Sequence, residues 1–309
     1  MGEKKPVVVV GSINIDLVAN TERIPVAGET VGGSEFHVHP GGKGANQAVA
    51  VARLGYPVRM IGRLGDDAFG SQLRSHLEST GVDASGIGTS HGASGVAIIV
   101  VSSAGENIIV VTPGTNALVT PQDLEDNIAI LRSAGIVLAQ LEIPMETVES
   151  LARICTREGV PLVLDPAPAA ELPAGLLKQV AWLTPNETEA AFYIRQAAGS
   201  HRGDAPAAIA KGLMDAGARG VVLKLGSRGA FVATGSSPGE LVHSFPVKAI
   251  DTTAAGDCFN GAFAAGLMMG KSPVESARFA AAAAAISVTR AGAQPSMPTL
   301  AEVESLMKR

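Results

Sequence analysis

Aromatic side chains are scarce in this chain, at 4% of 309 residues with one tryptophan, Trp182, and two tyrosines. That scarcity excludes a stacking surface for single-stranded nucleic acid, which needs a row of exposed rings. Basic runs are missing as well, and the formal net charge is −5. Neither a nucleic-acid backbone nor an anionic membrane is therefore an expected partner. The two cysteines, Cys155 and Cys258, are too few for a disulfide scaffold and fit a reducing compartment. Met1 to Pro6 is short and charged, and the following Val7 to Val10 is strand-like rather than a secretory h-region. No apolar run reaches the length of a membrane span. The expectation is a soluble, cytoplasmic protein. Apolar residues are plentiful, at 46%, enough for one large α/β domain with a smaller appendage.

Val7-Val8-Val9-Val10 has no polar alternation, as in a strand of a parallel sheet buried on both faces. From Val18 to Pro40 the pattern changes to short strand-like pieces punctuated by Pro25, Gly28, Gly32 and Gly33. Gly95–Val101 and Asn107–Val111 read as a hairpin. The chain divides into a core at 1–16, 41–94 and 114–309, and a small β lid at 17–40 and 95–113. Ile98, Ile99, Ile108 and Ile109 suit the lid to a dimer interface. Helices are expected from Gly41 to Leu54, Asp66 to Thr80, Thr120 to Ala134 and Met145 to Glu158. Strands at 136–141, 162–164, 182–184 and 221–225 alternate with helices, which specifies a doubly wound, mostly parallel sheet with helices on both faces. His37 and His39 share a strand face, but with no third ligand nearby they read as solvent-facing.

Polar residues recur where these strands end: Asn14 and Asp16, Glu142, Asp165, Asn186 and Glu189, Lys224, then Asp251 and Asp257. Parallel strands aim their carboxyl ends at one crevice, so these groups are expected to share a site. Asn14 and Asp16 lie on one side of an extended chain and suit neighbouring hydroxyls. Gly41-Gly42-Lys43-Gly44-Ala45-Asn46 departs from the Walker pattern, since Lys43 precedes Gly44. It reads as a loop bringing backbone, Lys43 and Asn46 to a neutral polar ligand. Gly226-Ser227-Arg228-Gly229 is placed to meet a nucleotide. Asp251 to Asp257 leads into a helical segment, Cys258 to Met269. Its small residues admit a phosphate to a helix N-terminus. Asp257 there is either a base for a hydroxyl proton or an acid that merely favours a first helical turn. A helix N-terminus is expected to lower its basicity. Glu189 divides likewise between holding magnesium through water and starting a helix. Cys258 reads as a small packing residue.

These motifs, with Thr184-Pro185-Asn186-Glu187-Thr188-Glu189 and the segment Thr289 to Ser296, resemble the ribokinase-like carbohydrate and nucleoside kinase family over nearly the whole chain. The Gly256-Asp257 pair marks the family, and the Asn14 and Gly42–Asn46 motifs are closest to its ribose-phosphorylating members. The resemblance implies transfer of the ATP γ-phosphoryl group to O5 of D-ribose. Asn14, Asp16, Gly42, Lys43, Asn46 and Glu142 would hold the sugar, with Asp257 as base. The N–H groups of Ala254, Ala255, Gly256 and Asp257 would form the anion hole. Asn186, Glu189, Lys224, Gly226, Ser227, Arg228, Gly229 and Ala281 would meet ATP and its magnesium. A monovalent cation, usually potassium, would sit at Asp251, Thr253, Ser287, Arg290, Gly292 and Ser296. A homodimer through the lid is implied too. Lys224 stands where Thr is usual and Ala281 where a polar residue is common, so the resemblance does not set nucleotide preference. A sister sugar kinase acting on deoxyribose, fructose or a ketodeoxy sugar acid is the nearest alternative, and a non-catalytic sugar sensor a more distant one.

Overall fold

Val7–Val10 forms strand β1, and all four valines are fully buried. Val7 and Val9 join one apolar cluster while Val8 and Val10 join another. A core on each face explains why the run does not alternate. The computed structural model describes residues 4–198, 205–235 and 238–308. After β1 come β2 (Asn14–Thr21), β3 (Gly33–Gly41), α1 (Lys43–Arg53), β4 (Val58–Gly65), α2 (Ala68–Ser79), β5 (Asp83–Ser90), β6 (Gly95–Ser102) and β7 (Asn107–Thr112). Then follow α3 (Pro121–Asp126), α4 (Ile128–Ser133), β8 (Ile136–Ala139), α5 (Met145–Glu158), β9 (Leu162–Leu164), β10 (Trp182–Leu183) and α6 (Glu187–Ala198). The chain continues through α7 (Pro206–Asp215), β11 (Gly220–Lys224), β12 (Ala230–Thr234), β13 (Glu240–Val242), α8 (Ala255–Met268), α9 (Pro273–Ser287) and α10 (Leu300–Met307).

Nine strands build the large sheet in the order β13-β12-β11-β10-β9-β8-β1-β4-β5. The pairings from β11 to β5 are parallel, and β12 and β13 close one edge antiparallel. The small sheet, β3-β2-β6-β7, is separate. Its first strand already begins at Asn14, so Asn14 and Asp16 ride on the lid rather than on the end of β1. The expected helix from Thr120 to Ala134 is two short helices meeting at Asn127, whose amide donates to the Asp123 carbonyl. Strand β5 is additional. Its glycines and serines, Asp83-Ala84-Ser85-Gly86-Ile87-Gly88-Thr89-Ser90, carry a weak strand signal. Helix α8 starts at Ala255, three residues before the expected Cys258, so Asp257 lies inside its first turn.

Helices α8, α9 and α1 pack closely through small residues. A Cβ on Gly261 would lie 2.6 Å from the Gln47 carbonyl oxygen, and one on Gly266 3.0 Å from Ser276 Oγ. Phe263 and Phe279 fill the remaining volume and are fully buried. This packing fixes the N-terminus of α8 against α1, which carries Asn46 and Gln47.

Candidate active site

The crevice at the strand ends gathers the expected polar residues. Asp257 sits at its centre, 6% exposed. Its Oδ2 accepts from Asn46 Nδ2 at 2.9 Å and its Oδ1 from Gln47 Nε2 at 3.2 Å. Burial pushes its carboxyl up to about 6; Lys43 and Asn46 pull it down, and Asp165 and Glu142 push it up. The helix terminus was expected to lower it. A charge near a helix end gains about 0.3–1 kcal/mol, whereas removing a carboxylate from water costs several kcal/mol. Burial wins.

Ala254 is the single non-glycine residue with positive φ among the described residues, at 56°. This left-handed turn admits the chain to α8 and carries local backbone strain. The Ala255 N–H donates to the Thr252 carbonyl at 3.2 Å. The other expected anion-hole donors, the N–H groups of Ala254, Gly256 and Asp257, lie at the helix entry, where N–H groups lack intrahelical partners. A Cβ on Gly256 would lie 3.6 Å from Lys224 Nζ, which places that ammonium beside the same helix entry.

On the β2 side, Gly42 has φ 88°, and a Cβ there would meet the Asn14 backbone nitrogen at 2.7 Å. Only glycine lets the loop before α1 approach β2 so closely. Asn116 accepts from the Ile13 N–H at 2.9 Å and donates from Nδ2 to Asn14 Oδ1 at 2.7 Å. With its oxygen occupied, Asn14 presents its amide nitrogen to a ligand. Glu142 accepts from Ser12 Oγ at 2.5 Å and from the Lys43 N–H at 3.1 Å. Burial, with Glu142 and Asp257, lifts Asp16 to about 6 against the pull of Lys43. Burial works against the Lys43 charge, yet the carboxylates of Asp257, Glu142, Asp165 and Glu189 outweigh it and hold the ammonium protonated.

On the other side lies a cavity of about 350 Å³. Lys224, Gly226, Ser227, Gly229 and Gly256 line it together with the apolar side chains of Phe245, Val247, Ala281, Ala284 and Val288. Arg228 turns away and pairs with Glu187. Lys224 Nζ contacts Asp165 Oδ1 at 2.8 Å. Glu189 accepts from the Asn186 N–H at 2.8 Å and from its Nδ2 at 2.9 Å, while its own N–H donates to Asn186 Oδ1 at 2.8 Å. The pair therefore closes the start of α6, and its remaining lone pairs face the crevice where Lys224, Asp165 and Lys43 act on Glu189.

The residues implied for a monovalent cation lie on two adjoining loops. Asp251 accepts from the Thr253 N–H and the Gly292 N–H, each at 2.8 Å. Burial opposes its charge, but these N–H groups hold its carboxyl below the usual range. Ser287 Oγ and Ser296 Oγ donate to the carbonyls of Ala284 and Ala293 at 2.9 and 2.7 Å. Arg290 points to Glu302 at 2.5 Å, so its charge does not oppose a cation between the loops. His37 and His39 stack at 5.6 Å, and no group of three potential metal-ligating side chains occurs among the described residues.

Sequence reasoning missed the amides Gln47, Asn116, Gln140 and Gln294. Gln47 sits in α1, Asn116 and Gln294 in short turns and Gln140 just past the end of β8, and only the folded chain brings them to the site.

The family model for pfkB carbohydrate kinases matches residues 4–300. The ribokinase of Schizosaccharomyces pombe is 41% identical over 312 residues, covering 96% of each chain. The crystal structure of Thermotoga maritima ribokinase superposes with a TM-score of 0.92 at 38% identity, covering 98% of this chain and 99% of that one. Arabidopsis thaliana ribokinase, solved with ribose and ATP, gives 0.90 at 36% identity, with 99% and 100% covered. The match over nearly the whole chain, with relatives about 40% identical, shows that the chain belongs to the pfkB family of carbohydrate kinases.

Proposed function

We propose that this protein phosphorylates D-ribose at O5 with ATP to give D-ribose 5-phosphate. The observation that carries the reading is the position of buried Asp257, between the Asn14–Asp16–Glu142 side and the cavity beside Lys224 and Gly256. The Arabidopsis relative solved with both ligands supports it. Asn14, Asp16, Gly42, Lys43, Asn46 and Glu142 hold the sugar hydroxyls, and Asp257 accepts the O5 proton. The N–H groups at the start of α8 receive the developing charge of the γ-phosphoryl group. The apolar wall at Ala281, Ala284 and Val288 takes the base of ATP, and the Lys224 to Gly229 loop its ribose and phosphates.

Magnesium arriving with ATP neutralises phosphate charge, and Asn186 and Glu189 are the residues to hold it through water. Asp251, Thr253, Ser287, Arg290, Gly292 and Ser296 are the residues that would hold a potassium ion, whose charge would order the anion-hole loop. Five residues support a homodimer through the lid. Strand register puts Phe36, Ile108, Val38, Ile98 and Val110 on the sheet face opposite Asn14 and Asp16, and all five are exposed. Both cysteines are free and buried, in keeping with a cytoplasmic setting.

A coupled ADP-release assay across ribose, deoxyribose, fructose and a ketodeoxy sugar acid tests the reading. Highest kcat/KM is expected for ribose. Preference for another sugar replaces the substrate, and no turnover with any of them leaves a sensor. Equal activity in sodium and potassium would count against a selective cation site.

A further inference from the structure

The base is gripped by two amides, and each amide is held in turn by a buried glutamine. Gln47 Oε1 accepts from Gln140 Nε2 at 2.7 Å, which leaves the Gln47 amide nitrogen facing Asp257 Oδ1 at 3.2 Å and Asp165 Oδ2 at 3.0 Å. Asn46 is held from the opposite side. Gln294 Nε2 donates to Asn46 Oδ1 at 3.0 Å, and Gln294 Oε1 faces His76 Nε2 at 2.9 Å. The chain His76–Gln294–Asn46–Asp257 crosses four elements: α2, the turn Gln294–Ser296, α1 and α8. An amide offers a donor at one end and an acceptor at the other, so its partner decides which end faces the carboxylate.

We propose that Gln294 is a positioning residue for the base: by donating to Asn46 Oδ1 it locks the Asn46 amide with its nitrogen toward Asp257. The inference rests on the kinase reading of Asp257. If Asn46 turned over, its oxygen would face Asp257 Oδ2, now 2.9 Å from Nδ2. Two buried acceptors at that separation are compatible only with a protonated Asp257, which cannot take a proton from a hydroxyl. Gln47 cannot compensate, because its nitrogen is shared with Asp165. The charged and titratable groups facing Asp257 are Lys43 from α1, Asp165 and Glu142 from the strand ends, Asp16 from β2 and the neighbouring Cys258. Gln294 hydrogen-bonds Asn46 and His76 instead. A change at this position therefore reaches the base through Asn46.

Two substitutions test the relay. Gln294→Glu supplies acceptors only, and so draws the Asn46 nitrogen toward itself and its oxygen toward Asp257. The acidic limb of the kcat–pH profile is expected to move up by about one pH unit, a tenfold loss on that limb, with KM for ATP unchanged. Gln294→Met keeps the volume and removes both hydrogen bonds; kcat falls severalfold and the limb moves less. An unmoved limb in the folded glutamate variant overturns the proposal. Should that variant fail to fold, parent-like kcat and limb in the methionine variant overturn it. Infrared titration of the Asp257 carboxyl in parent and Gln294→Met needs no turnover. A parent that phosphorylates no sugar sinks the kinase reading, while a shifted or unshifted carboxyl titration still supports or overturns the relay.

Discussion

Asp257→Asn separates the chemistry of the base from its structural cost. The carboxyl is lifted from 3.8 to about 6 with burial as the leading cause. About two pKa units correspond to roughly 3 kcal/mol. The sign follows from linkage. Between pH 4 and 6 the unfolded chain holds fewer protons at this site than the folded one, so stability falls as pH rises through that window. The cost is fully present above pH 6 and absent below pH 4. Asparagine is neutral and removes it. Against that gain, asparagine has one oxygen for the two donors Asn46 Nδ2 and Gln47 Nε2, and a donor left facing its NH2 group costs about 1–3 kcal/mol. The variant should therefore melt at or a few degrees above the parent at pH 8, and at or below it at pH 4.5. Its kcat should drop about 10²-fold or more, with KM for ribose changed only a few-fold. Coupled ADP release and thermal scans at the two pH values measure both. Near-normal turnover refutes the base, and a variant destabilised more at pH 8 than at pH 4.5 refutes the burial arithmetic.

Asp16 and Asp257 are both raised to about 6 and act on each other, so kcat/KM for ribose should fall below about pH 6 as a coupled pair titrates; a flat profile down to pH 5 contradicts this. Lys224→Met strands Asp165, whose side chain is 3% exposed, and should cost about 3–5 kcal/mol and raise KM for ATP. Adding Asp165→Asn should restore stability but not KM, and a single variant as stable as the parent rules out the buried pair as a contributor. Val110→Lys on the open lid face should shift the protein toward monomer in light scattering; a parent already monomeric at micromolar concentration defeats the lid dimer.

Much of the site was legible because parallel strands place their ends together. Glu142, Asp165, Asn186 and Lys224 needed only the strand pattern to be assigned to one edge, whereas Asn14 and Asp16 come to the crevice on the lid strand β2. Val7 to Val10 disclosed a doubly covered strand because β-branched residues without alternation have few other uses. The amides were illegible for a physical reason. Asn116 reaches Ile13 across 103 positions, Gln140 reaches Gln47 across 93, and Gln294 reaches Asn46 across 248. A lone glutamine carries no periodicity, and its role comes from a partner the sequence does not adjoin. The basicity of Asp257 failed in sign for a related reason. A helix start is visible locally, while burial is a property of the assembled α1, α8 and α9.

The distribution of charge also bears on which sugar enters. Asp16, Glu142, Asp165, Asp257 and Glu189 share the crevice with two ammonium groups, Lys43 and Lys224. Lys224 is bound to Asp165 beside the helix entry, on the side where phosphates approach. Lys43 lies among the carboxylates of the sugar side, which hold it protonated. Hydroxyls can donate to Asp16 and Glu142 without adding charge. A carboxylate substituent would face two acids already strained by mutual repulsion, with Lys43 the one nearby cation and that cation already engaged by four acids. Like charges so placed disfavour binding by several kcal/mol. On the proposed reading the pocket would select a neutral polyol by what it repels as much as by what it holds, and a sugar acid is the member of the test panel it should reject most strongly.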